Sequence, residues 1–159
     1  MPELSGRLRP VGRVAILVSR YNEAITARLL DGALACVDAA RISRDDVDVV
    51  WVAGAFELPV VASAAARTGR YACIVALGAV IRGDTPHFEY VSDGTTSGLV
   101  KVAVESGLPV GFGLLTVDTL DQAAERAGGS AGNKGYEATA AAIEAADVIA
   151  RLRTSHAAS

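Results

Sequence analysis

The chain has 159 residues, of which 51% are hydrophobic and only 5% aromatic, so we expect one domain with a core built mostly of Ala, Val, Leu and Ile. Its 15 basic and 18 acidic residues give a formal net charge of −3 and are well mixed, which argues against a nucleic-acid groove lined by clustered Lys and Arg. No apolar run approaches the roughly 20 residues of a membrane span, and residues 1–6 lack the apolar stretch of a signal peptide, so we expect a soluble, cytoplasmic protein.

The first half of the chain alternates short apolar runs with helical ones. Residues 13–19 (RVAILVS) predict a strand buried on both faces, and Asn22 is in position to cap the helix that follows. Residues 48–53 (DVVWVA) predict a second strand, and residues 57–68 an alanine-rich helix that Gly69 ends. The apolar residues of the first helix recur at i+4 spacing: Ile25, Leu29, Ala33 and Val37.

The middle of the chain predicts a third strand and a long helix. Residues 72–80 (ACIVALGAV) are a continuous apolar run. Thr85 followed by Pro86 is typical of a helix start, with a cap residue and then proline at the first helical position. The helix is expected to reach Ser106, where Gly107 ends it.

The remaining segments complete an α/β pattern. Residues 109–116 predict a fourth strand, and residues 119–127 and 134–152 predict two helices separated by the glycine-rich residues 128–132. Strands that alternate with helices predict right-handed crossovers and a parallel sheet covered on both faces. The expected fold is therefore a single three-layer α/β/α sandwich with a four-stranded parallel sheet, of the flavodoxin-like type.

We assign residues 13–153 to this domain, residues 1–12 to an N-terminal arm and residues 154–159 to a flexible tail. The two cysteines, Cys36 and Cys73, have neither a CxxC partner nor a nearby histidine cluster, so no metal site is predicted. Their apolar surroundings indicate small buried thiols, the alternative being reactive ones.

Ligands of open α/β sheets bind beyond the carboxyl ends of the strands, and the exit of the third strand carries the richest set of residues. His87 is expected in the first helical turn, where free N–H groups and the positive dipole end favour an anion. We therefore expect a neutral imidazole that accepts a proton until an arriving phosphate raises its proton affinity. Asp84 is expected to turn its carboxylate away and to offer its backbone N–H. Alternatively, His87 only packs against Phe88 or caps the helix.

Of the other three exits, those of the first and second strands offer weaker signals. Backbone groups of Ala55 and Phe56 could hydrogen-bond a polyhydroxyl chain, whereas Glu57 in the first helical turn could simply favour the helix dipole. Tyr21 could stack a planar ring beside the cleft or act as an aromatic lid over the core.

Four segments together carry a resemblance to a known family. They are residues 19–22 (SRYN), 54–59 (GAFELP), 78–88 (GAVIRGDTPHF) and 132–135 (GNKG). In order and spacing they resemble the 6,7-dimethyl-8-ribityllumazine synthase family from about residue 14 to residue 150. The segment 78–88 is highly specific, whereas GNKG alone would be weak.

The resemblance implies a transferase that condenses 5-amino-6-(ribitylamino)uracil with 3,4-dihydroxy-2-butanone 4-phosphate and that uses no metal and no organic cofactor. It also implies a role for each matching position. Residues implied to bind the uracil and its ribityl chain are the stacking Tyr21, then Ala55, Phe56, Glu57, Ala79, Val80 and Ile81. Residues implied to meet the phosphate are Asp84, Thr85 and Arg126. Residues with other implied roles are His87 in proton transfer, Phe112 beside the pyrimidine, and Lys134 and Glu137 nearby.

The resemblance further implies a homo-oligomer. Phe112 lies in mid-strand, away from the strand exits, and in this family Phe112 and Arg126 come from the adjacent subunit. Family members form pentamers, and some join twelve pentamers into an icosahedral shell. The short turn between the last two helices resembles the shell-forming members, although pentamers occur with similar sequences. From the residues alone, Arg126 is better interpreted as a solvated charge, and only the resemblance favours a phosphate-binding role.

Two departures from the family pattern limit the transfer of roles. Tyr21 stands where Phe or Trp is more common, and Gly129-Ser130 replaces a Thr-Lys-like pair. Two competing functions remain: a non-catalytic flavin- or lumazine-binding protein, and a structural shell protein with a vestigial site. A flavodoxin-type electron carrier is disfavoured because no Ser/Thr-rich phosphate loop follows the first strand.

Overall fold

The computed structural model describes the backbone of residues 1–158 and the side chains of residues 1–154. Its centre is an all-parallel sheet of four strands, β1 (Val14–Ser19), β2 (Val47–Val52), β3 (Cys73–Ile81) and β4 (Val110–Val117). The strand order is β2-β1-β3-β4. Each strand lies within one residue of its predicted bounds, because a continuous apolar run is buried wherever helices cover both faces of a sheet.

Five helices complete the three layers. Helices α1 (Glu23–Ala39) and α5 (Lys134–Ala158) cover one face, and α2 (Leu58–Arg67) and α3 (His87–Ser106) cover the other. The short α4 (Leu120–Arg126) follows β4 and packs against it. The predicted α/β/α sandwich is therefore confirmed.

Alternation along β1 divides the core into two apolar clusters. Val14, Ile16 and Val18 join the cluster under α1 and α5, whereas Ala15 and Leu17 join the cluster under α2 and α3. This division follows from the twofold period of side chains along a strand. The predicted apolar face of α1 is fully buried in the first cluster: Ile25, Leu29, Ala33 and Val37.

Two helix starts differ from the sequence prediction. Asn22 does not cap α1 with its side chain; it adopts a left-handed conformation with φ 63°, and its Nδ2 donates to the carbonyl of Ala79 at 3.0 Å. Helix α3 begins at His87, and Thr85 lies outside it, with its Oγ1 accepting from the His87 N–H at 3.4 Å. Gly107 ends α3 with φ 72°, as predicted.

The glycine-rich segment is a β-hairpin, which the sequence analysis missed. Strands β5 (Ala127–Gly129) and β6 (Gly132–Asn133) pair antiparallel, and Gly128 and Gly132 adopt φ values of 94° and 85°. Only glycine adopts such values at little cost. Helix α5 then continues to Ala158, past its predicted end at residue 152.

The N-terminal arm lies against α5. The Arg7 N–H donates to the buried carboxylate of Asp147 at 3.0 Å, Arg151 donates to the Ser5 carbonyl at 2.6 Å, and Leu8 packs on the core. The boundaries of the arm (1–12), the domain (13–153) and the tail (154–159) stay predictions, and Ser159 lies outside the described residues.

Candidate active site

The strand order creates a crevice at the carboxyl edge of the sheet. The chain leaves β1 towards β2 on one side and reaches β3 on the other side, so the connections diverge between β1 and β3. Such a switch point is where open α/β sheets bind ligands. Tyr21 follows β1 and its side chain is 73% exposed, whereas Asn22 crosses the crevice to bond Ala79 of β3. The crevice thus has an exposed aromatic face at one side and strand β3 at the other.

Strand β3 extends beyond β1 into this crevice. Its register with β1 ends at Leu77, but the strand continues to Ile81. Residues two apart in a strand point their backbone N–H and C=O groups to the same side. The backbone groups of Ile81 therefore point towards β1, as the carbonyl of Ala79 does. Along this exit burial falls, from Ala79 and Val80, which are buried, to the half-buried Ile81.

The loop between β3 and α3 is exposed and ends at the first turn of α3. His87 is the first residue of α3, as expected of a group in the first helical turn. The exposed candidate residues of this loop are Asp84, Thr85 and His87.

The second candidate segment forms a 3-10 turn, Ala55–Glu57, before α2. Ala55 is buried, whereas Phe56 is 65% exposed and its ring lies beside α3 at Gly94, where an added Cβ would sit 3.1 Å from the ring. Glu57 is exposed and occupies the N-cap position of α2, one residue before the first helical turn in which it was predicted to lie. The 3-10 turn packs against β3 and α3, which places the exposed Phe56 and Glu57 beside the crevice, next to the buried Ala55.

A separate cleft of about 400 Å³ lies along β4, α4 and α5. It brings together four of the candidate residues: Phe112, Arg126, Lys134 and Glu137. Arg126 Nη1 donates to the Gln122 carbonyl at 3.1 Å and lies 3.6 Å from the Glu125 carboxylate, which holds the guanidinium near the end of α4. The cleft therefore combines an aromatic face with a guanidinium, an ammonium and a carboxylate.

Strand register keeps Phe112 apart from the crevice of the same chain. Phe112 pairs with Ala76, whereas the crevice residues of β3 extend from Ala79, which pairs with Leu115, to Ile81, which pairs with Val117. The three to five residues between these positions correspond to about 10–16 Å along the strand. One chain therefore carries the candidate residues in two groups, one at the crevice and one at the β4 cleft.

A pair of charged residues joins two strand exits and had no role in the sequence analysis. Arg82 Nε donates to Asp118 Oδ1 at 2.8 Å, and this hydrogen bond raises the pKa of Arg82 above its usual value. Arg82 also stacks on the ring of Phe88, with 4.5 Å from its Cζ to the ring centroid. The sequence signal for this pair was its position, since Arg82 and Asp118 each lie two residues after the predicted end of a parallel strand and directly after its observed end.

Among the residues that the structure describes, no three or more His, Cys, Asp or Glu side chains are grouped so that they could hold a metal ion. The same residues contain no helix that is long and apolar enough to cross a membrane.

A comparison with models of known protein families gives a match over most of the chain. The family model of 6,7-dimethyl-8-ribityllumazine synthase matches residues 12–150, a range that includes the whole sheet, the crevice and the β4 cleft. The match covers far more than half of the 159 residues, and its bounds lie close to those of the resemblance seen in the sequence. The chain belongs to the 6,7-dimethyl-8-ribityllumazine synthase family.

Proposed function

We propose that the chain condenses 5-amino-6-(D-ribitylamino)uracil with 3,4-dihydroxy-2-butanone 4-phosphate to 6,7-dimethyl-8-ribityllumazine, the penultimate step of riboflavin biosynthesis, without a cofactor. The observation that carries the proposal is the separation of the candidate residues into two groups in a member of this family. The crevice offers a ring-stacking face and a histidine at a helix start, and the β4 cleft offers a guanidinium and a second aromatic face. Together they supply what a planar ring and a phosphate ester require.

The reaction needs proton transfers and alignment of two substrates, and no redox step. The uracil amine attacks the ketone, and loss of water gives an imine. Elimination then releases phosphate, and the ribityl-bearing nitrogen closes the second ring with loss of another water. Holding two reactants in position can supply about 7–11 kcal/mol of barrier reduction, so binding is the main task of the site.

The crevice is suited to the uracil substrate. Tyr21 stacks on the pyrimidine ring, and its large exposed fraction leaves that face available. Backbone groups of Ala79, Val80 and Ile81 read the uracil edge, which is supported by the extension of β3 past β1. The ribityl chain lies along Ala55, Phe56 and Glu57, whose exposed Phe56 and Glu57 border the same crevice.

The start of α3 is suited to the phosphorylated substrate. Helix N-termini bind anions through unpaired N–H groups and the helix dipole, and α3 is a long helix of 20 residues. Asp84 and Thr85 meet the phosphate there, and His87 transfers protons during elimination and dehydration. The exposure of all three side chains supports access by a ligand.

Completion of the site requires a second copy of the chain. We propose that Phe112, Arg126 and the nearby Lys134 and Glu137 of one subunit meet the crevice of its neighbour, since register keeps Phe112 about 10–16 Å from the crevice residues of its own chain. Arg126 grips the phosphate through its planar guanidinium. The assembly is a homopentamer, with an icosahedral shell of pentamers as a further level, in the cytoplasm.

The first test is an absorbance assay of lumazine formation from the two substrates with purified protein. General acid–base catalysis contributes typically about 10²–10⁴-fold, so His87→Ala is expected to lower kcat by that range and to leave a measurable rate. An unchanged kcat would show that His87 does not transfer protons in the reaction.

The second variant separates binding from chemistry. Arg126→Ala is expected to raise KM for the phosphorylated substrate about 10- to 100-fold, from hydrogen bonds to a charged group worth about 1.5–3 kcal/mol, with little change in KM for the uracil. Arg153→Ala, which removes an exposed arginine of α5, is the matched control. If Arg126→Ala kept the wild-type KM, the phosphate assignment would be wrong.

The same assay separates the competing functions. A non-catalytic lumazine- or flavin-binding protein would bind the product without forming it, and a structural shell protein would assemble without either property. The chain has His87 in the crevice group and Arg126 in the β4 group. This favours the catalytic function, because neither the binding of a neutral ring nor assembly requires both a histidine and an arginine at these positions.

A further inference from the structure

Arg82 links the loop that carries the candidate phosphate-binding residues to two other elements. Its backbone N–H donates to the Val117 carbonyl at 2.9 Å, which holds the first residue after β3 against the end of β4. Its side chain donates from Nε to Asp118 Oδ1 at 2.8 Å. The start of the loop is thus fixed by both its backbone and its side chain.

The same guanidinium also contacts the far end of the loop. Its Cζ lies 4.5 Å from the centroid of the Phe88 ring, and Nη1 lies 3.5 Å from the Glu89 carboxylate. Phe88 and Glu89 directly follow His87 in the first turn of α3. One side chain therefore restrains residues at both ends of the loop 83–86.

An exposed ion pair by itself stabilises a protein little, and the side chain of Arg82 is 48% exposed. Its importance is therefore geometric. A guanidinium combines a planar stacking face with a fork of donors, and here the face contacts Phe88 while the fork contacts Asp118 and Glu89. The result is a fixed orientation of the first turn of α3 relative to the ends of β3 and β4.

We propose that Arg82 is a positioning residue for His87: it holds the first turn of α3 through Phe88 and Glu89 and anchors it to Asp118, without touching the substrate. The proposal rests on the proposed function, in which His87 transfers protons. A displacement of about 1 Å at a reacting group can cost about 10²-fold in rate, so loss of this restraint should act mainly on kcat.

The experiment measures kcat and both KM values of the assembled wild-type enzyme and of Arg82→Ala. We expect kcat to fall about 10- to 100-fold, while KM for the uracil substrate stays within about 3-fold. Arg44→Ala is the matched control, because Arg44 makes a similar pair with Asp38, at 2.9 and 2.8 Å, and is comparably exposed. It lies before β2, at the opposite edge of the sheet, and should keep the wild-type kcat.

A double variant distinguishes positioning of His87 from general support of the fold. If Arg82 acts through His87, Arg82→Ala should lower kcat little further, by less than about 2-fold, when His87→Ala is already present. An equal loss in both backgrounds would overturn the proposal, and so would a single Arg82→Ala variant with wild-type kcat. An inactive wild-type enzyme would instead contradict the proposed function itself.

Conservative variants cover the case in which Arg82→Ala fails to fold. Arg82→Lys keeps the charge near Asp118 but loses the planar face on Phe88. The combined variant Asp118→Asn/Phe88→Leu removes both contacts of the wild-type arginine. The kcat of Arg82→Lys should therefore lie between the kcat of the wild type and that of the combined variant. A wild-type kcat in that combined variant would also overturn the proposal.

Discussion

The two cysteines illustrate how burial sets the chemistry of single residues. Cys36 on α1 and Cys73 on β3 are both fully buried in the cluster under α1 and α5, which confirms the expectation of buried thiols. Burial disfavours the thiolate and raises the pKa of Cys36 to about 11 and that of Cys73 to about 12. Since the thiolate is the nucleophile, neither residue is a candidate for the chemistry of the site.

We expect neither thiol to react with Ellman's reagent in the native protein at about pH 8, and both to react at once in denaturant. Unfolded thiols lose their protons near pH 9, the ordinary value, while the buried ones keep them. The contribution of the thiols to the free energy of unfolding is therefore complete below about pH 9 and is lost as the pH rises through about 11 to 12. Urea titrations across this pH window measure the loss, and rapid labelling of the native protein would contradict it.

At the scale of elements, the contact between α1 and α5 depends on small residues. A Cβ at Gly135 would collide with the backbone carbonyl of Leu29 on α1. Asn133 stabilises the same contact: its Nδ2 donates to the Arg28 carbonyl at 3.0 Å, and its Oδ1 accepts from the Gly135 N–H at 2.8 Å. The GNKG segment is weak as a motif by itself, but it has a packing role that explains its residues Asn133 and Gly135.

Gly135→Ala is expected to lower the free energy of unfolding by about 1–3 kcal/mol, because overpacking a closed contact forces the backbone to move. Chemical denaturation measures the change. Gly83→Ala is the control for stability alone, since an added Cβ there meets nothing within 4 Å. An equal free energy of unfolding in the two variants would contradict the prediction, because it would show that α1 and α5 can move apart at Gly135 without loss of stability.

At the scale of the whole molecule, a site shared between subunits has a consequence that a site within one chain lacks. His87→Ala and Arg126→Ala alter different groups, and co-expression in equal amounts mixes them in one assembly. About a quarter of the interfaces would then combine a native His87 with a native Arg126 from the neighbour. With the phosphorylated substrate held well below its wild-type KM, where Arg126→Ala is also impaired, we expect lumazine formation at about that fraction of wild-type activity, well above either variant alone.

The control for this experiment co-expresses His87→Ala with Tyr21→Ala. Both residues belong to the crevice group, so every interface keeps one defect and activity should stay at the level of the single variants. Activity of the first mixture no higher than the mean of its two variants would contradict the shared site. Size measurements on each mixture check that the assembly itself is intact.

Local patterns determined most of the architecture. The apolar runs predicted all four strands within one residue, and the i+4 spacing predicted the buried face of α1, because burial of a strand or a helix face depends on residues close together in sequence. Gly69 and Gly107 marked two helix ends for the same reason: both adopt positive φ, at 69° and 72°. The parallel arrangement followed from the alternation of elements.

Tertiary structure decided which distant residues meet. The bond from Asn22 to Ala79, the pairing of Arg82 with Asp118 and the separation of Phe112 from the crevice all depend on the register between strands. Register is set by packing of whole layers, whose energies are spread over many side chains, so no short segment encodes it. The sequence by itself therefore determined which elements form and which family they build, whereas the packed sheet decided how the candidate residues divide into two groups.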